Sequence, residues 1–199
     1  MMIKILIAVP TFENISSDTF KSIYGLIKPQ DTIVQFDYVK GYDCARARNL
    51  IAKEAIEYNF DYVLMVDSDI ILPSDTLVKM LNNPVDICLG CYPRKNTTND
   101  TVELFKLNQK DYIETFKAEE IDNLSGKIEV KGGGFGCAFI NVNLFKILPY
   151  PWFKYVEYDN GDILSEDNYF CSSLKSNNIK VYADTDVRCG HYIHRYQWR

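Results

Sequence analysis

Between Ile3 and Leu89, short apolar runs alternate with amphipathic helical stretches, and no other feature of the sequence restricts its fold so tightly. Ile3 to Val9 is a near-continuous apolar run, the pattern of a strand buried on both faces. Ser16 or Ser17 can cap a helix through Ile23 and Ile27, with Pro29 ending it. Thr32 to Val39 reads as a second strand. Ala45 to Tyr58 reads as a helix, with Ala, Leu and Ile recurring on one face. A third strand, Tyr62 to Val66, is followed by a short helix capped by Ser74 and carrying Leu77, Val78 and Leu81, and then by a strand from Val85 to Leu89. Such alternation predicts an α/β fold with a mostly parallel central sheet and helices on both faces.

The second half is less regular. Asn96 to Asp100 reads as a polar turn, and Val102 to Lys131 as short strands or loops rather than helix. Gly132 to Gly136 leads into an apolar strand, Cys137 to Val142. Ser165 can cap a helix through Leu174, and Ile179 to Ala183 is a final strand before an aromatic, basic tail. With 199 residues the chain is expected to be a single domain able to bury a continuous core.

Charge and cysteine usage exclude several classes. The formal net charge of −5 disfavours a stable nucleic-acid partner, because an acidic chain repels phosphate backbones. No apolar run is long enough to span a membrane, and the N-terminal MMIKILIAVP is too short for a secretory leader and runs straight into TFENISSDTF. A cytoplasmic protein is therefore expected. In that compartment the six cysteines should mostly be small buried hydrophobes. Cys88 and Cys91 form a C-x-x-C that Cys189 and His191 could complete as a zinc site, but Cys88 lies in a strand-like run and the spacing of a zinc ribbon is missing.

The segment YVLMVDSDIILP carries the sharpest chemical signal. An apolar strand delivers Asp67 and Asp69, one residue apart, to its C-terminal end, which in open α/β sheets faces the ligand crevice. Both offer hard oxygen ligands for magnesium or manganese, and such an ion could neutralise a departing diphosphate. The bland alternative is a solvated loop. Haloacid-dehalogenase phosphatases open with a similar pattern, but after the first strand and followed by Thr or Gly-Thr, where this chain has Ile70-Ile71. Glu166 and Asp167 follow Ser165 at a predicted helix start, where the dipole favours carboxylates, and Asp167 could also take a proton from a sugar hydroxyl. His191 is one of two histidines and a sound ligand for manganese-like ions. Arg46 and Arg48 open a helix whose dipole disfavours them, which points to a phosphate or base contact. The glycines from 132 to 136 allow close backbone approach or a plain turn.

In order along the chain, these anchors resemble the GT-A glycosyltransferases, in particular small family-2-like enzymes of bacteria and phages. The matching residues are Val9-Pro10-Thr11, Ala47-Arg48-Asn49, Asp67-Ser68-Asp69, Gly134 to Phe139 with Pro151-Trp152-Phe153, Ser165-Glu166-Asp167 with Phe170, and Gly190-His191. The resemblance implies a GT-A (Rossmann-like) three-layer sandwich. Residues 1–92 would be its nucleotide-binding half and 93–199 a short acceptor-side half with the tail. It implies a metal-dependent hexosyl transfer from a nucleoside-diphosphate sugar, most simply a UDP-sugar, to the hydroxyl of a glycan or other acceptor, with inversion, in bacterial or phage-infected cytosol.

It also implies roles. Pro10, Thr11 and Ser68 approach the nucleotide; Arg46 and Arg48 the base or diphosphate; Asp37 or Asp43 the base; Gly134 and Trp152 the sugar and acceptor. Asp69, Asp67 and His191 would hold Mn2+ or Mg2+, with Asp69 the direct ligand and Asp67 nearer the ribose. Asp167, flanked by Glu166, would be the catalytic base. The tail from His191 to Arg199 could fold over the donor and bring Arg195 to the diphosphate. Two other classes remain open: a nucleotidyltransferase, which would release pyrophosphate, and a non-catalytic sugar- or nucleotide-binding module.

Overall fold

A computed structural model describes residues 2–95, 100–110 and 112–192. Strand β1 (Ile3–Thr11) is buried from its third residue onward. Ser16 caps α1 (Ser17–Tyr24), its Oγ accepting the Thr19 N–H at 3.0 Å. The helix ends before Ile27 because the Ile27 N–H is taken by the distant Ser74 carbonyl at 2.8 Å. After β2 (Thr32–Lys40), Asp43 caps α2 (Cys44–Glu57) by accepting the Arg46 N–H at 3.0 Å. β3 (Tyr62–Val66) and β4 (Ile70–Ile71) flank the Asp-Ser-Asp turn. Helix α3 (Thr76–Leu81) starts from Asp75 rather than from a Ser74 cap, and β5 (Ile87–Cys91) follows.

Beyond it lie β6 (Thr101–Leu107), β7 (Ile113–Lys117), α4 (Ala118–Asp122), β8 (Lys127–Val130) and β9 (Gly132–Gly133). Helix α4 corrects the expectation of no helix between Val102 and Lys131. Glu119 and Glu120 sit in its first turn, and Glu120 accepts the Lys117 N–H at 2.8 Å, so a single turn is stabilised by local carboxylates. The chain continues through β10 (Cys137–Asn141), α5 (Asn143–Ile147), β11 (Val156–Glu157), β12 (Ile163–Leu164), α6 (Glu166–Ser176), β13 (Val181–Arg188) and β14 (Gly190–His191).

The main sheet has seven strands in the order β2-β1-β3-β10-β5-β13-β8. β1 pairs parallel with β2 and β3, and β5 with β13; β10 is inserted antiparallel between β3 and β5, and β8 closes the far edge antiparallel to β13. Alternation along each strand divides the core into two layers. Leu6, Ala8, Val63, Met65, Ala138 and Leu89 face α2, α5 and α6. Ile5, Ile7, Val9, Leu64, Val66 and Phe139 face α1 and α3. With helices on both faces, the architecture is the three-layer sandwich expected from the alternating pattern.

The first layer ends in an aromatic cluster that fixes the start of α6. Phe153 stacks on Phe170 with ring centres 4.8 Å apart, and Phe135 meets both edge-on. The Asn49 side chain ties this cluster to α2: its Nδ2 donates to the Phe153 carbonyl at 2.6 Å, and its Oδ1 accepts the Trp152 N–H at 3.1 Å.

Candidate active site

The carboxyl ends of β3 and β5 converge with the first turns of α2 and α6, and charged side chains from these segments meet there. Arg48, on the first turns of α2, is buried with 2% of its side chain exposed. One terminal nitrogen lies 2.7 Å from Asp67 Oδ1 and the other binds Glu166 Oε1. Burial works against the guanidinium charge, but Asp67, Glu166 and Asp167 outweigh it, so its pKa rises above the usual arginine value. Burial also pushes the Glu166 carboxyl up, opposed by Arg48. Burial and the nearby Glu166 raise the phenol of Tyr155. The Nε of Arg48 has no hydrogen-bond partner among the described residues.

Asp69 has different neighbours. Strands β4 and β14 pair Ile70 with His191, which carries the imidazole to the same turn. His191 Nδ1 is 2.7 Å from the Pro93 carbonyl and so must carry a proton, because a carbonyl can only accept. Its Nε2 faces Asp69 Oδ1 at 3.6 Å. Lys95 binds the other Asp69 oxygen. Burial opposes charge on Asp69, yet hydrogen bonds from His191 and Lys95 prevail and hold its carboxyl below the usual range.

A divalent cation fits this pair. Nε2 either shares a second proton with Asp69 or presents its lone pair to a cation that Asp69 also faces. The Nδ1–H to backbone carbonyl bond is the support that metal-ligating histidines ordinarily have. Two donors on one cation, each about 2.0–2.2 Å from it, lie roughly 3–3.5 Å apart, close to the spacing seen here. No group of three or more His, Cys, Asp or Glu side chains suited to a metal occurs among the described residues, so water or a phosphate would have to supply the remaining ligands.

Beside these residues is Tyr92, buried, its hydroxyl accepting the Gly136 N–H at 3.0 Å and its ring edge-on to His191. Burial and the nearby Asp67 raise its phenol well above the ordinary value. Gly134 is demanded by this tyrosine, since a Cβ there would lie 2.2 Å from the Tyr92 hydroxyl. Across from it, burial raises the carboxyl of Glu103 on β6, with Arg94 opposing and Asp167 adding to the shift. Asp167 itself is half-buried on the first turn of α6, where its Oδ1 accepts from the Asn168 N–H at 2.7 Å and from the Ser165 hydroxyl.

No family model and no curated protein sequence matches the chain. Solved structures do resemble it. A197 from STIV is 17% identical, with a TM-score of 0.65 over 96% of this chain and 86% of that one. GalNAc-T7, crystallised with UDP, GalNAc and Mn2+, is 10% identical, with a TM-score of 0.59 over 96% of this chain and 44% of that one. S. aureus TarS 1-349 in complex with UDP-GlcNAc is 16% identical, with a TM-score of 0.52 over 94% of this chain and 58% of that one. The last two are GT-A glycosyltransferases.

The fold is GT-A-like. This chain spans less than two thirds of either of those two proteins, and at these identities the likeness is one of architecture.

Within the GT-A-like frame the sequence-derived candidates separate into three groups. Asp67, Asp69, His191, Glu166 and Asp167 gather around the crevice, as described. Pro10, Thr11 and Ser68 line the turns beside it, but the Thr11 hydroxyl donates to the Asn14 carbonyl at 2.8 Å and the Ser68 carbonyl accepts the Ser16 N–H. The remaining candidates have other placements. Arg48 is locked between carboxylates, whereas Arg46 is exposed with its guanidinium 4.4 Å from the Tyr42 ring centre. Trp152 is a core residue, packed on Phe145 with its indole N–H given to the Leu148 carbonyl at 3.1 Å. Asp37 lies inside β2, hydrogen-bonded to Glu54 of α2, whose carboxyl burial and that partner push up to about 7. Asp43 is engaged as the α2 cap. Arg195 and the tail lid lie outside the described residues.

Tyr92, Lys95, Glu103 and Tyr155 were absent from the sequence reading. Tyr92 and Lys95 follow the strand β5, and the rule that drew attention to Asp67 covers any residue leaving the carboxyl end of a parallel strand. The alternation of Val102 and Leu104 marks β6 as a strand but not Glu103 as a site residue, and no local pattern marks Tyr155.

Proposed function

We propose that the protein is a glycosyltransferase that binds a nucleoside-diphosphate sugar in this crevice and transfers the sugar to an acceptor hydroxyl. The observation that carries the reading is the pairing of Asp69 with His191 Nε2, 3.6 Å apart, at the strand ends of a GT-A-like fold. The neighbours lend support, one solved with UDP, GalNAc and Mn2+ and another with UDP-GlcNAc. On this reading residues 1–199 form one domain, with 1–92 holding the nucleotide and 93–199 forming the acceptor side.

Asp69 and His191 would hold Mn2+ or Mg2+, with Asp67 braced beside them by Arg48. When bound, the ion supplies positive charge that stabilises a departing diphosphate. Lys95 adds a second cation at the same edge. Asp167 accepts the proton of the attacking hydroxyl; its carboxylate is oriented by the Asn168 N–H and the Ser165 hydroxyl. Tyr92 and the glycine loop wall the crevice and keep water from competing for the sugar. Attack from the face opposite the leaving diphosphate inverts the anomeric centre.

The direct experiment is a calorimetric titration of UDP with and without Mn2+, followed by turnover of UDP-GlcNAc and UDP-GalNAc. UDP should bind only with the metal, and turnover should release UDP. Absence of metal-dependent UDP, GDP or CDP binding would refute the donor site, and release of pyrophosphate would make the protein a nucleotidyltransferase. Asp167→Asn should slow transfer by roughly 10²–10⁴-fold. Retained configuration at the anomeric carbon, read by NMR of the product, would remove the inverting assignment.

A further inference from the structure

A second cavity, of about 540 Å³, adjoins the crevice on the outer side of α2. Arg46 and Lys53 of α2 and Lys154 line it, together with Tyr150 and Tyr155. The net charge of the chain is −5, yet this opening gathers three cations against one acidic side chain, Asp43, whose carboxylate is occupied in capping α2. Among the described residues none of the three cations lies within salt-bridge distance of a carboxylate. Each rests on an aromatic ring instead. Arg46 lies 4.4 Å from the Tyr42 centre, Lys53 4.5 Å from Tyr150 and Lys154 4.6 Å from Tyr169. Ring faces hold the cations in place without neutralising them, so their charge is available to a ligand. Tyr155 lines the cavity and also neighbours Glu166, the residue before Asp167.

We propose that this cavity is the acceptor subsite and that it selects an acceptor carrying negative charge, phosphate or carboxylate, close to the hydroxyl that is glycosylated. The proposal rests on the glycosyltransferase reading for the word acceptor; the anion preference rests on the cavity alone. Exposed tyrosine rings beside the cations provide flat apolar faces for a sugar ring, and the cations fix its charged group. Because the cations are solvent-facing, affinity should fall as salt rises.

The test titrates the protein at low ionic strength, by NMR, with glucose 6-phosphate, glucuronate, glucose and an oligothymidylate. At least one charged sugar should bind while glucose does not, and which of the two binds tighter identifies the anion. The double variant Lys53→Glu/Lys154→Glu should weaken that binding by about tenfold or more, with an unchanged melting temperature and unchanged UDP affinity in Mn2+. Equal binding of glucose, an unchanged affinity in the variant, or loss of UDP affinity along with it would overturn the subsite. Tighter binding of the oligothymidylate than of either sugar would overturn it in favour of a nucleic-acid surface. If UDP never binds but the charged sugar does, through Lys53 and Lys154, the donor reading fails and the anion site stands.

Discussion

Asp67 and Asp69 are one residue apart, yet they live in different electrostatic worlds. Asp67 meets a buried arginine that also holds a buried glutamate from 118 positions along the chain. Asp69 meets a half-exposed lysine and the Nε2 side of an imidazole. The first arrangement is nearly complete: every charge has a partner, and adding a ligand would cost one of them. The second is looser: Lys95 binds one Asp69 oxygen, and the other faces His191 Nε2 at 3.6 Å, longer than a good hydrogen bond. Buried carboxylates in such a fold are thus of two kinds. Those paired internally hold α2 and α6 against β3, while those held more loosely are the ones able to take a ligand.

The largest effect should come from breaking the paired side. Arg48→Leu leaves Asp67 and Glu166 without their counter-charge, one of them buried, and should destabilise the protein by about 3–5 kcal/mol in urea unfolding. A loss below about 1 kcal/mol would mean that the ion pairs add little. Asp69→Asn is the opposite case. Melting temperature should hardly move, because the Lys95 pair is solvent-exposed, but Mn2+-dependent UDP affinity should fall at least 10–100-fold. If Arg48→Leu and Asp69→Asn exchange these phenotypes, the division between a structural and a ligand-facing aspartate is wrong.

The contact of Tyr92 with Gly134 gives a smaller effect. Gly134→Ala places a Cβ 2.2 Å from the Tyr92 hydroxyl and should cost about 1–3 kcal/mol. Adding Tyr92→Phe removes that oxygen but leaves Glu103 Cγ at 2.7 Å and the ring carbon at 3.3 Å, so the double variant should recover only part of the loss and show non-additivity in a double-mutant cycle.

Smallest is the Glu54–Asp37 pair, remote from both aspartates. The folded-state pKa of Glu54, about 7, lies above its ordinary value, so the folded chain holds the proton more tightly than the unfolded one. The associated stability is full below the ordinary glutamate range and is lost as pH rises through about 7. Glu54→Gln should therefore flatten the fall of melting temperature between about pH 5 and pH 8. An unchanged pH profile would show that the carboxyl pair does not share a proton.

Much of the frame was legible because it is written in local patterns. Ile3 to Val9 and Tyr62 to Val66 are strands where the apolar runs place them, and Ser16 sits where a cap is needed. The Asp-Ser-Asp turn falls at a strand end because the apolar run stops there. Errors arose where a remote group intervenes: Ser74 stops α1, and the bulk of Phe145 and Tyr150 draws Trp152 into the core. Arg48 gave a true signal, a cation out of place at a helix start, but its partners are carboxylates of the chain rather than a ligand.

By itself, then, the sequence determined the α/β class, the main strands and helices through β5, the Ser16 cap of α1 and the position of two carboxylates at a sheet edge. Each depends on side-chain periodicity or on hydrogen bonds spanning a few residues. Tertiary structure alone decided that β10 enters antiparallel between β3 and β5, that β14 pairs with β4 to bring His191 to Asp69, and that Tyr92 fills the space Gly134 leaves. Periodicity states which face of a strand is buried, but not which distant strand will cover it, and the character of each aspartate depended on that second choice.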